Sequence, residues 1–124
     1  MSDRADRQVD YRDSVGIVTL RGEMDIVKAH DLREQLLGAV RNEDLGLVVD
    51  LTNTTYIDSV GVSLLFELAE RLSERQLRLA VVLPEAGLVE RVLRIVNLDS
   101  VTEIHPTVDE AVGAIRTADG GSPA

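Results

Sequence analysis

Apolar and polar positions follow three different rhythms along this chain, and each rhythm implies a different element. Near the amino end Val9 and Tyr11 alternate with Gln8, Asp10 and Arg12, and Val15, Ile17, Val18 and Leu20 follow Asp13-Ser14. Two short strands joined by a tight turn fit this alternation. Gly22-Glu23-Met24-Asp25 ends the second strand, and Asp25 is placed to cap a helix beginning near Ile26. There Ile26, Ala29, Leu32, Leu36, Leu37 and Val40 recur at spacings of three and four, while Lys28, Asp31, Arg33, Glu34 and Arg41 turn to water. Leu47-Val48-Val49 are consecutive, as in a strand covered on both faces.

After that run the chain breaks into small polar residues, which read as a loop, and resumes helical period at Asp58-Ser59. In a helix from about Ser59 to Arg75, Val62, Leu65, Phe66, Leu68, Ala69 and Leu72 share the side expected to be buried, opposite Ser63, Glu67, Glu70 and Glu74. Leu77, Leu79, Val81, Val82 and Leu83 make a further strand. Pro84 stops it and opens a third helix through Leu88, Val89, Val92, Leu93 and Val96, with Asn97 as a left-handed cap. Val101 to His105 reads as a last short strand, and Val108, Ala111, Val112 and Ile115 as the stripe of a final helix. Residues 1–7 and 118–124 are polar or Gly-rich and are expected to be flexible, leaving 8–117 as one domain. Helices alternating with strands imply an α/β domain, a small mixed sheet with helices packed against it.

Composition narrows the chemistry. A chain of 124 residues suits one domain that needs no staples, and without cysteine it has no disulfide, thiolate nucleophile or sulfur-ligated zinc. The formal charge of −9 repels nucleic acid and anionic lipid, and three aromatics (Tyr11, Tyr56, Phe66) are too few for base stacking. The start Met1-Ser2-Asp3-Arg4-Ala5-Asp6 lacks the apolar segment of a secretory signal, and no run has the length of a membrane span. We expect a soluble cytoplasmic protein, with neither nucleic acid nor membrane as partner.

Enzyme templates fail in turn. The glycines at 16, 22, 38, 46, 61, 87 and 113 are isolated, so no phosphate loop forms, and the second glycine of a nucleophile elbow is missing at Leu65. His30 reads as solvated and His105 as a loop or capping residue, so no metal and no cofactor is expected. Glu23 and Asp25 form the one compact acidic pair at a strand end, either capping groups or, together with Asp58, the acid/base set of a small enzyme.

Leu20-Arg21-Gly22-Glu23-Met24-Asp25, Val49-Asp50-Leu51 leading to Ile57-Asp58-Ser59-Val60-Gly61, Val92-Leu93 through Asn97-Leu98, and Asp109-Glu110-Ala111 together resemble the STAS domains of bacterial anti-sigma factor antagonists. The likeness spans about Val9 to Thr117; where the family often has Gly, this chain has Asn97, which a left-handed cap accepts. The resemblance implies a non-enzymatic regulator that binds an anti-sigma factor kinase and releases a sigma factor. It also implies that Ser59 is phosphorylated by that kinase, which brings its own ATP and magnesium, and is restored by a phosphatase. Another reading keeps the fold but not the switch: a scaffold or accessory subunit of a stress-sensing complex or transporter, in which Ser59 only caps the helix.

By position Ser59 can accept a backbone N–H at the helix start as well as carry a phosphate. Asp58 either caps or orients the serine hydroxyl. Val60 and Leu64, beside Ser63 and Glu67 near the polar edge, are the apolar groups expected at a docking patch, unless they are ordinary surface scatter. The expected partner surface is thus Asp58, Ser59, Val60, Gly61, Ser63, Leu64 and Glu67, with Glu23 and Asp25 at the neighbouring strand end.

Overall fold

The computed structural model describes residues 7–120, without the side chains of residues 26–28, 30 and 118–120. The alternating start forms a hairpin of β1 (Arg7–Arg12) and β2 (Val15–Met24), paired antiparallel. Its turn residues Asp13 and Ser14 both have positive φ, 51° and 69°, the twist of a two-residue type I′ connection. The chain continues through α1 (Ile26–Gly38), β3 (Gly46–Ile57), α2 (Ser59–Glu74), β4 (Arg78–Val82) and α3 (Leu88–Ile95). A 3-10 turn (Leu98–Ser100), β5 (Glu103–His105) and α4 (Val108–Gly120) complete it. Asn97 does adopt the left-handed conformation, φ 60° and ψ 44°, between α3 and the 3-10 turn. Arg7, the first residue of β1, pairs with Leu20 of β2, and α4 runs through Gly120; residues 1–6 and 121–124 lie outside the described residues. The stripe position Ile26, the solvent position Lys28 and His30 fall on side chains that are likewise outside them.

The sheet runs β1-β2-β3-β4-β5 in sequence order, with every pairing after the first parallel. Parallel crossovers take one hand, so sequential order places the crossover helices on a single face. The core agrees: Val18, Leu20, Leu47, Val49, Leu51, Leu79 and Val81 form one cluster with residues of α1, α2 and α3. The intervening Val15, Ile17, Val48, Ala80 and Val82 meet Ala111, Val112 and Ile115 of α4 on the other face. Leu47-Val48-Val49 are consecutive because that part of β3 is covered on both sides.

β3 corrects the expected loop after Val49. The strand continues through the polar residues to Ile57, because β2 continues beside it to Met24. From Thr19↔Asp50 to Met24↔Ile57, β2 advances five residues (24 − 19) and β3 seven (57 − 50), with register shifts flanking Arg21 and Gly22. The two extra residues are absorbed as bulges. Asp50 accepts the backbone N–H and hydroxyl of Thr52, while buried Thr54 donates its hydroxyl to the Leu20 carbonyl at 3.0 Å. Gly22, at φ 80°, supplies the backbone freedom that the second shift requires. The β-branched threonines suit an extended chain whose second face no helix covers here.

Candidate functional site

Met24 and Ile57 are paired at the carboxyl ends of neighbouring parallel strands, and both strands pass directly into helices. Such ends are where open α/β sheets present their sites. The two exits are tied together, since the Asp58 N–H donates to the Met24 carbonyl at 3.3 Å. Asp58, extended at φ −102° and ψ −175°, caps α2: its carboxylate accepts the N–H of Val60 at 3.0 Å and of Gly61 at 2.9 Å. Gly61 is buried against this junction. A Cβ there would stand 2.7 Å from the Met24 oxygen and 2.8 Å from Ile57 Cγ1, so only glycine lets the first turn of α2 sit so close.

The cap is therefore not Ser59, as its position suggested. Ser59 is the first helical residue, exposed, and its hydroxyl has no hydrogen-bond partner among the described residues. The capping amides are already taken by Asp58, so the Ser59 hydroxyl is accessible without dismantling the helix start. Glu23 is exposed and pairs in register with Tyr56, while the Asp25 carbonyl accepts the Ala29 N–H at 2.9 Å in the first turn of α1. The structure thus brings Glu23, Asp25, Asp58 and Ser59 to one end of the sheet. Among the described residues no group of three or more His, Cys, Asp or Glu has metal-holding geometry.

Along α2 the expected patch separates into two sides. Ser63 is exposed, and Glu67 is held by Arg33 of α1 at 2.7 Å and by Arg71 at 3.6 Å. Leu64 is only 5% exposed and belongs to the core, and Val60 is half-buried and packs on that core. Leu64 is therefore withdrawn from the docking patch: α2 leans on α1, which covers that side of the helix. The accessible apolar surface lies on the opposite flank. There Val62 and Phe66, expected to be buried, are partly buried against the core, and with the remainder of their surface they line a groove with Val101, which is 50% exposed. A cue was present in the isolated Val101 before Thr102, but the side to which it turns depends on the tertiary path.

Residues 6–111 match the family model of the STAS domain. The chain is 24% identical over 102 residues to the anti-sigma-F factor antagonist RsfB of Mycobacterium tuberculosis, covering 82% of each. Among solved structures it is similar to an anti-sigma factor antagonist from Mycobacterium paratuberculosis, with TM-score 0.79, 29% identity and coverage of 89% of this chain and 92% of that one. SpoIIAA of Bacillus in its phosphorylated form shares the fold, with TM-score 0.62, 20% identity and coverage of 89% and 99%. Among the described residues no helix is long and apolar enough to cross a membrane.

Proposed function

Because the chain belongs to the STAS domain family, we propose that it is a cytoplasmic, non-enzymatic anti-sigma factor antagonist whose Ser59 is the phosphorylation switch. Unphosphorylated, it binds an anti-sigma factor kinase and releases the sigma factor. In the transfer step the Ser59 oxygen attacks the γ-phosphorus of the kinase's magnesium-bound ATP and the bond to ADP breaks. The hydroxyl proton passes to a base on the kinase, and a phosphatase later hydrolyses the ester.

The observation that carries this reading is the division of labour at the start of α2: Asp58 caps while Ser59 is exposed. A phosphate on Ser59 adds about −1.5 to −2 charges at a helix N-terminus, where the dipole favours anions by about 0.3–1 kcal/mol. The Asp58 carboxylate capping the same helix start opposes that term, so the fold changes little in stability. A docked partner is affected more strongly, because a dianion buried without a cation costs several kcal/mol. Moving an equilibrium from 1:99 to 99:1 takes about 5.5 kcal/mol, which that penalty can approach.

Incubation with the kinase partner and ATP, followed by mass spectrometry, is expected to place one phosphate on Ser59 and to abolish the complex. Ser59→Asp is expected to weaken the complex while leaving thermal unfolding nearly unchanged. An unmodified Ser59, or undiminished binding once it is phosphorylated, would overturn the reading.

A further inference from the structure

α2 leans on α1 with one flank and scarcely touches α3 with the other. Along α2 lies an open groove of about 890 Å³, lined by eight residues of α2 and by Val101 after the 3-10 turn, room for a row of side chains and not just one. Val62, Phe66 and Ala69 form its floor along one side of α2, and Val101 stands opposite. Glu70 and Glu74 edge it; both are exposed and, unlike Glu67, make no ion pair among the described residues. From Val62 to Glu74 the row is about 18 Å long at 1.5 Å per residue, close to three helical turns. Val62 and Phe66 rest on the core with part of their surface and turn the rest into the groove, while Val101 is 50% exposed.

We infer that this groove receives a cationic amphipathic helix of a second protein, with apolar residues at spacings of three and four on Val62, Phe66 and Val101 and Lys or Arg facing Glu70 and Glu74. An apolar floor with an acidic rim is complementary to that chemistry and repels an acidic segment. Ser59 lies one turn before Val62 on the same helix. The inference rests on the reading of Ser59 as the switch in one respect: a phosphate there adds negative charge beside the groove, so phosphorylation strengthens this contact while it breaks the one over Ser59 itself. One helix would thus serve two partners with opposite responses to one modification.

The test uses the full chain and two synthetic helical peptides of about 14 residues, one with Leu at the groove-facing positions and Lys elsewhere, the other with Glu in place of Lys. The cationic peptide is expected to bind, with NMR shift changes at Val62, Phe66, Ala69 and Val101, and the acidic one not to bind. Val101→Lys, at an exposed position that leaves the fold intact, and the double variant Glu70→Lys/Glu74→Lys are each expected to weaken binding at least about tenfold. The distant pair Glu43→Lys/Glu110→Lys is expected to stay within about twofold, and Ser59→Glu to bind a few-fold tighter. Equal binding of both peptides, shifts elsewhere, equal loss in the distant pair, or weaker binding by Ser59→Glu would each overturn the inference. Peptide binding by a protein whose Ser59 no kinase modifies would leave the groove standing and remove the switch. A modified Ser59 with an empty groove would do the reverse.

Discussion

Three positions at the start of α2, Asp58, Ser59 and Gly61, carry different tasks that a sequence does not distinguish. Asp58 and Ser59 are both good capping residues, and which of them caps is decided by where β3 ends, a matter of one residue. Replacing a capping Asp by Ala costs about 0.5–2 kcal/mol, whereas an exposed change away from such features usually stays within about 0.5 kcal/mol. Urea unfolding is therefore expected to show Asp58→Ala destabilised by about 1 kcal/mol and Ser59→Ala nearly unchanged; equal losses would return the cap to Ser59. Gly61 was legible as part of a motif but not as a packing requirement, because the Met24 carbonyl that excludes a side chain is 37 residues away in sequence (61 − 24). Gly61→Ala is expected to destabilise the domain by about 1–3 kcal/mol through overpacking. It should also displace the junction that presents Ser59, so partner binding falls even below the unfolding temperature.

At the scale of elements, periodicity located the strands and helices but not their ends or their facing. The polar run after Val49 reads as a loop because a strand with bulges loses its two-residue rhythm; only the partner strand reveals that the chain is still paired. Thr54 fills the irregularity by satisfying the Leu20 carbonyl. Thr54→Val keeps the shape and removes the donor, leaving a buried acceptor unpaired at about 1–3 kcal/mol, measurable as a lower denaturation midpoint with an unchanged m-value. Facing fails for a related reason. The apolar arc of α2 is wider than one contact can cover, so the choice between Leu64 and Phe66 as the accessible residue depends on α1 lying on one flank and an open groove on the other. Nothing in α2 alone states this.

For the molecule as a whole, the alternation of strands and helices and the acidic charge were readable directly. Strand order was not, since a helix between two strands specifies a parallel crossover but not adjacency. The charge permits a further prediction. Phosphorylation takes a net charge of −9 to about −11, a small change in a field already screened beyond about 10 Å at 0.1 M salt. If local burial of the phosphate breaks the kinase complex, calorimetry at 0.5 M salt is expected to show no recovery of binding by the phosphorylated protein. Recovery would indicate long-range repulsion instead.

Sequential strand order has a consequence in time. Each strand pairs with its predecessor, so the chain closes short loops and no strand waits for a distant partner, the topology that folds quickly. The hairpin, α1, β3 and the first turn of α2 all lie within the first 62 residues, and they contain Met24, Ile57, Asp58 and Gly61, the groups that fix Ser59. The groups that fix Ser59 are thus encoded together in the amino-terminal half, and β4 closes the core behind them.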